Sequence, residues 1–265
     1  MFLIPWIIGF VVFQLYPFVA SFWYSFTDYN VVSDAKFVGF ENYIKIITAD
    51  KTWRKSLGIT FKYVAIAVPC KIAFAFIIAM LLNMKLRTIN FFRTVYYLPS
   101  ILGGSVAVSI LWRFIFRRDG VMNSLLSVFG IGAIDWLGSP KYALYTLSVL
   151  VVWQFGSSMI VFLAGLKQIP QDLYEAANMD GAGKLRRFNV ITLPMISPMI
   201  FFNLVMQLVF AFQEFTGAFV VTNGGPVKST YLYALMLYEN AFGNLKMGYA
   251  SAQSWILFLI IVVVT

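Results

Sequence analysis

The chain has 265 residues, of which 60% are hydrophobic, 18% aromatic and only 12% charged, and its formal net charge is +9. A soluble domain is nearer half apolar and a quarter charged, so this composition excludes a soluble globular protein and predicts an integral membrane protein. The chain has no histidine and a single cysteine, Cys70, which excludes Ser-His-Asp and Cys-His relays, histidine metal sites and internal disulfides.

Six apolar runs predict an all-α chain with about six transmembrane helices in one domain over residues 1–265. The runs cover about 2–26, 57–82, 95–116, 143–166, 195–221 and 249–265. The first run ends in a row of aromatic residues typical of a membrane interface. Because the chain starts directly in one apolar run and stops inside another, we expect further residues beyond both ends.

The loops between the runs carry scattered basic residues, which indicate lipid headgroups and cytoplasmic partners rather than nucleic acid. The first loop includes a predicted short surface helix at 40–47. The second loop, 83–93, contains Lys85, Arg87 and Arg93 without an acid, which is the clearest cytoplasmic signature in the chain. The count of Lys and Arg over all loops does not decide the orientation, which we therefore assign from the fourth loop.

The fourth loop, residues 168–194, is a polar stretch between two apolar runs. Pro170 can occupy the first turn of a helix, and residues 171–179 that follow include good helix formers. Gly181 can end this helix in a left-handed turn. A helix of nine residues is only about 14 Å long and cannot span a bilayer, so it must lie beside the membrane and face another molecule.

A second short helix is predicted from Gly183 to about Ile191, and Pro194 is expected to disrupt it. A sequence pattern in separate blocks runs through these two helices. It reads Glu175-Ala176-Ala177, three residues, Gly181-Ala182, and then Ile191-Thr192-Leu193-Pro194.

This pattern resembles the cytoplasmic loop of binding-protein-dependent ABC importer permeases. In that family the loop forms a coupling helix that docks into a groove on the ATPase subunit. The resemblance implies that the even-numbered loops are cytoplasmic. It also implies an ATPase-docking surface made by Leu173, Glu175, Ala176, Ala177, Gly181 and Ala182.

Two further segments resemble external parts of MalF-type sugar permeases: residues 37–43 in the first external loop, and Thr222-Asn223-Gly224-Gly225-Pro226 after the fifth run. The resemblance implies the type I ABC importer permease fold and a place in a bacterial or archaeal cytoplasmic membrane. It implies a second homologous permease as partner, two ATPase subunits that bind ATP and magnesium, and an extracytoplasmic solute-binding protein that delivers a sugar or oligosaccharide. This subunit would then hold no cofactor and catalyse no covalent chemistry.

Polar residues inside the apolar runs indicate a path for substrate. In the fifth run they recur on one helical face, where contact with lipid would be costly, so this face should meet protein or water. Amides and carboxylates bind sugar hydroxyls, and aromatic rings stack on sugars; the same resemblance points to the fourth and fifth runs as the sugar-binding helices. The candidate substrate residues are Trp153, Gln154, Asn203, Gln207, Ala211 and Glu214. The alternative is hydrogen bonding between helices for Asn203 and Gln207, and simple packing for Trp153.

Lys71, midway along the second run, is an unusual residue for a membrane interior. An intramembrane lysine pairs with a carboxylate or lines a cavity, so Lys71 could neutralise Glu214 or help to hold an acidic sugar.

Gly103-Gly104, in the third run, indicates close helix packing or, alternatively, a gate hinge.

Two other functions remain open on the sequence alone. One is an ion-coupled secondary transporter that uses Glu214 or Lys71, a class that generally has broken helices in repeated halves. The other is a membrane-embedded sugar-processing enzyme, which would need clustered acids or metal ligands. No glycine-rich segment matches the phosphate-binding loop pattern, so the energy must come from a partner or a gradient.

Overall fold

The computed structural model describes residues 3–84 and 89–265, so Lys85 and Arg87 of the second loop lie outside the described residues. Within those ranges the chain is helical, with no strand and one isolated bridge between Thr27 and Phe37. This confirms the all-α prediction. The fourteen α-helices are α1 (Ile4–Phe10), α2 (Tyr16–Ser25), α3 (Glu41–Thr48), α4 (Lys51–Leu82), α5 (Ile89–Leu102), α6 (Val106–Ile115), α7 (Val121–Val128), α8 (Ala143–Trp153), α9 (Gly156–Gln168), α10 (Gln171–Met179), α11 (Lys184–Arg187), α12 (Leu193–Phe212), α13 (Tyr233–Tyr238) and α14 (Met247–Val264).

Four helical stretches in the described part of the chain are long and apolar enough to cross a membrane: Ile4–Ser25, Lys51–Leu82, Lys184–Phe212 and Met247–Val264. Two bent pairs add up to two more spans, because α5 and α6 meet at 103° and α8 and α9 at 46°. The total reaches the predicted six when each bent pair crosses as one span. Short turns of π-helix, such as Val11–Leu15 between α1 and α2, join several of these helices.

The predicted second short helix of the fourth loop is wrong as a separate element. Helix α11, a π turn at Phe188–Thr192 and α12 form one continuous helix. In the π turn the N–H of Leu193 bonds to the carbonyl of Phe188, five residues back, so the regular bonding is already interrupted there. Pro194 falls in the first turn of α12, where its missing N–H is tolerated.

The helices divide into two compact units, Met1–Thr60 with Tyr231–Thr265, and Phe61–Thr230. In the first unit α2 packs along α14, and the ring of Trp255 lies 4.7 Å from the rings of both Phe18 and Phe22. Tyr233 is fully buried; its hydroxyl accepts a hydrogen bond from Trp53 Nε1 (2.9 Å) and donates to the carbonyl of Gln253 (2.8 Å). Aromatic packing with satisfied polar tips therefore holds this unit together.

The second unit has a core where α4, α9 and α12 meet. Ala75, Ala79, Met159, Phe162 and Ile196 are fully buried there. Small residues on α4 allow the helix backbones to approach closely, which is how membrane helices gain packing energy without a hydrophobic driving force.

Candidate functional sites

A cavity of about 470 Å³ lies inside the second unit. Its walls come from α4, from the break between α5 and α6, from the break between α8 and α9, and from the last turns of α12 with the segment that follows. This volume is within the usual range for sites that bind small molecules. The polar residues that line it are Lys71, Ser100, Gln154, Ser157, Gln207, Gln213, Glu214 and Thr216.

Two helix breaks shape the cavity. Gly104 has φ +76°, a left-handed conformation that ends α5, and the hydroxyl of Ser105 then accepts the N–H of Val108 at the start of α6. Gly103 packs against the side chain of Gln154, whose Cδ would lie only 2.7 Å from a Cβ at position 103. Close packing is therefore confirmed for Gly103, and the role of this break as a gate hinge stays a prediction.

The structure brings four predicted substrate residues to this cavity: Gln154, Gln207, Ala211 and Glu214. Gln207 Nε2 also donates to Ser158 Oγ on α9 (3.1 Å), so this amide both lines the cavity and links two helices. Glu214 Oε1 accepts the N–H of Gly217 (2.7 Å), which fixes the carboxylate at the end of the α12 face. An amide and a carboxylate thus converge on one space, as sugar hydroxyls require.

Trp153 and Asn203 are not among the residues that line this cavity, and their role in binding substrate stays a prediction. Helix α8 ends at Trp153, whose ring lies 5.9 Å from that of Trp112 on α6, whereas Gln154 lies in the break that follows and lines the cavity. Asn203 is only 2% exposed and donates to the carbonyl of Met199 on its own helix (3.0 Å). The cavity ends near Gln207, one turn beyond Asn203.

Several polar lining residues were missed by the sequence analysis: Ser100, Ser157, Gln213 and Thr216. Each of them lies beside a helix break or end, where the periodicity of an uninterrupted helix no longer indicates which side chains share a face. Ser100 follows Pro99, and Gln213 is the first residue after α12. Polar residues next to prolines and glycines inside apolar runs are the signal that could have identified them.

A larger depression of about 1,100 Å³ occupies another part of the second unit. Arg113, Arg117 and Arg118 line it together with Asp119 and Asp135, and it contains none of the predicted substrate residues. Arg117 forms an ion pair with Asp119 (3.2 Å) in an exposed position. We therefore take the 470 Å³ cavity as the candidate binding site.

The fourth loop folds as predicted at its first helix, because α10 covers Gln171–Met179 with Pro170 at its N-terminal cap. Gly181 has φ +72°, and its N–H bonds to the carbonyl of Asn178 (3.0 Å). The N–H of Ala182 bonds to the carbonyl of Ala177 (2.9 Å). These two bonds form a Schellman motif, which satisfies the last carbonyls of the helix and fixes the turn.

Helix α10 presents most of its predicted docking face outward. Tyr174 anchors the helix through a hydrogen bond to Thr192 (2.8 Å), which leaves Leu173, Glu175 and Ala176 exposed. Glu175 makes no hydrogen bond or ion pair with any residue in the described ranges. A groove of about 200 Å³ next to it is lined by Ala177, Asp180, Ala182, Arg186, Arg187, Val190 and Ile191.

Substitution of Gly181 tests the turn that holds α10. A Cβ at this position would meet no atom within 4 Å, so the cost of a substitution is conformational and not steric. We expect Gly181→Val to destabilise the turn by roughly 1–2 kcal/mol and to speed hydrogen exchange of the Ala182 amide about five- to thirtyfold. Gly181→Asn, which tolerates the left-handed region, should show a much smaller change, and equal exchange in the Val variant and the parent chain would contradict this account.

Comparison with known proteins gives consistent matches along the chain. The family described as "Binding-protein-dependent transport system inner membrane component" matches residues 48–265. The probable ABC transporter permease protein YesP of Bacillus subtilis is 48% identical over all of this chain and 86% of its own length. The trehalose/maltose transport system permease protein MalF of Thermococcus litoralis is 29% identical over 98% of this chain and 88% of its own length.

A solved structure shares the fold. It is a crystal structure of a bacterial ABC transporter involved in the import of the acidic polysaccharide alginate. The match has a TM-score of 0.85 at 21% identity and covers 99% of this chain and 90% of the other. The predicted importer permease fold is thereby confirmed.

Proposed function

The chain belongs to the binding-protein-dependent transport system inner membrane components, and we propose that it is the MalF-type permease subunit of an ABC importer for a sugar or oligosaccharide. As a member of this family it is a multi-pass protein of the inner membrane and a transport component, not an enzyme. Family membership also argues against the two alternative functions, the ion-coupled transporter and the sugar-processing enzyme.

The observation that carries the proposal is the exposed helix α10 with its fixed turn. A short polar helix between two long apolar ones, with a Glu175 carboxylate that has no partner in the part of the chain the structure describes and with a groove lined by its Ala177, is suited to docking on another protein. We take that partner to be the ATPase subunit. Glu175 would accept hydrogen bonds from a basic group there, while Ala176 and Ala177 allow close contact.

The complete importer would contain further subunits. A second homologous permease would pair with this chain, and two ATPase subunits would bind ATP and magnesium. An extracytoplasmic solute-binding protein would deliver the sugar. The strongly exposed apolar side chains of α1 and α5, such as Trp6 and Phe91, are then covered by lipid or by the second permease.

Transport in this proposal is a rigid-body cycle. Closure of the ATPase dimer on ATP would pull the two coupling helices together, and the permeases would rock to open the cavity outward. Hydrolysis would then reset the inward-facing state. The Schellman turn at Gly181 matters here because a helix that transmits force to the membrane segments needs a rigid junction.

The 470 Å³ cavity is the proposed sugar site. Gln154, Gln207 and Glu214 offer amide and carboxylate groups that can exchange hydrogen bonds with hydroxyls. A ligand that lacks one of these hydroxyls leaves a buried polar group of the site without a hydrogen-bond partner. This cost makes binding of this kind selective.

Co-purification and ATPase assays test the proposal. The chain should be co-expressed with the second permease, the ATPase and the binding protein. It should then purify as a complex whose rate of ATP hydrolysis rises when binding protein and sugar are added together. A rate of ATP hydrolysis that none of a broad set of neutral and acidic oligosaccharides increases would contradict a sugar-import function.

A further inference from the structure

One charged group in the cavity is not explained by the binding of neutral sugars. Lys71 on α4 is only 8% exposed and lines the cavity together with Ala67 and Val68 of the same helix. A lysine ammonium normally reaches water, and removing it from water is costly unless a counter-charge faces it. Its placement in the wall turns the ammonium toward whatever occupies the cavity, and an anionic group there would be favoured.

The carboxylate in the same cavity, Glu214, attracts the Lys71 ammonium electrostatically but does not contact it directly. Lys71 and Glu214 line one space, yet no ion pair within 4.0 Å joins them. Glu214 Oε1 is instead bound to the N–H of Gly217 (2.7 Å). Among residues 3–84 and 89–265, Lys71 makes no hydrogen bond or ion pair.

The other polar groups around the cavity are uncharged: Ser100, Gln154, Ser157, Gln207, Gln213 and Thr216. The cavity thus presents one cation and one anion that form no direct ion pair, together with neutral hydrogen-bonding groups. A neutral sugar could use the amides and Glu214 but would leave the ammonium with no counter-charge in direct contact, only the attraction of Glu214 from beyond 4.0 Å. A sugar with both hydroxyls and a carboxylate matches all of these groups at once.

We infer that the cavity takes an acidic sugar, of the uronic acid class, whose carboxylate is held by Lys71 while its hydroxyls bind Glu214 and Gln207. This inference rests on the proposed function and narrows its substrate class. The alternative is that Lys71 only balances the charge of Glu214 from a distance. In that case removal of the lysine charge would affect acidic and neutral sugars equally.

The test uses the complete importer in lipid nanodiscs with its binding protein. One substrate mixture contains oligosaccharides released from several uronic acid polysaccharides, and the other is the same mixture after chemical reduction of its carboxyl groups to alcohols. We expect the acidic mixture to stimulate ATP hydrolysis and the reduced mixture to do so weakly. Stimulation by neutral oligosaccharides alone would overturn the acidic-sugar inference and leave the sugar importer standing, whereas no stimulation by any sugar would overturn the proposed function itself.

Variants of Lys71 then locate the effect in this subunit. Lys71→Met should reduce uptake of the acidic substrate by about tenfold or more, since a hydrogen bond to a charged group is lost. Lys71→Arg keeps the charge and should retain most of the uptake. Capture of the substrate by the isolated binding protein and co-purification with the ATPase serve as controls for delivery and folding; a Lys71→Met complex that assembles and transports the acidic substrate normally would overturn the inference.

Discussion

Glu175→Lys is expected to abolish the stimulation of ATP hydrolysis by sugar-loaded binding protein, while the chain still inserts into the membrane. Glu175 is exposed on α10 and has no partner among the described residues, so reversal of its charge should change the stability of the fold little. At a docked interface the same change places a cation against a basic group, and like charges in such a position cost several kcal/mol. The measurement is ATP hydrolysis by the reconstituted complex, with and without sugar-loaded binding protein.

A matched charge reversal separates docking from a general charge effect. Glu41→Lys makes the same change on α3, another short helix with an exposed acid, which lies in the other unit. We expect this variant to retain stimulated hydrolysis. Full transport by the Glu175→Lys complex would remove the basis for assigning α10 as the coupling helix.

Glu214→Gln is expected to lower sugar uptake by about 10- to 100-fold without weakening capture by the binding protein. The glutamine keeps an oxygen that can accept the N–H of Gly217, so the local turn is retained while the charge is lost. A hydrogen bond to a charged group contributes about 1.5–3 kcal/mol, which corresponds to this range of affinity. Initial rates of uptake over a range of substrate concentrations provide the measurement.

Two variants on α12 complete this test. Gln207→Ala should weaken uptake several-fold, in part because its bond to Ser158 is also lost. Asn203→Ala, one turn earlier on the same helix and equally buried, removes an amide that does not line the cavity. Uptake that falls as much for Asn203→Ala as for Glu214→Gln would show that the residues act through helix packing and not through the sugar.

Helix α10 could be predicted in full because its signals are local. Pro170 and Gly181 lie at its two ends, and both act through their own backbone conformations. The shared face of Gln207 and Ala211 was likewise predictable, because α12 is uninterrupted between them and regular periodicity holds. Glu214 lies two residues beyond the end of α12, so helical periodicity does not account for its position in the cavity wall.

The helix breaks could not be predicted, and they decide which side chains share the cavity wall. Gly104 adopts φ +76° at the bend between α5 and α6, and α8 ends at Trp153, so Gln154 lies outside the helix that contains Trp153. Pro194 was read as a helix end because proline usually acts as one, but the π turn before it allows the helix to continue. Nothing in the residue pattern distinguishes these cases, since π turns and bends depend on what each helix packs against.

The most direct test of the account is sugar uptake into proteoliposomes that contain the purified importer. The account predicts that labelled oligosaccharide accumulates only when ATP and magnesium are on the side of the ATPase subunits and the binding protein is on the other. Ion gradients alone should give no uptake, and the Glu175→Lys complex should remain inactive with ATP. Accumulation driven by a proton or sodium gradient without ATP would contradict the central claim that this chain is an ABC importer permease.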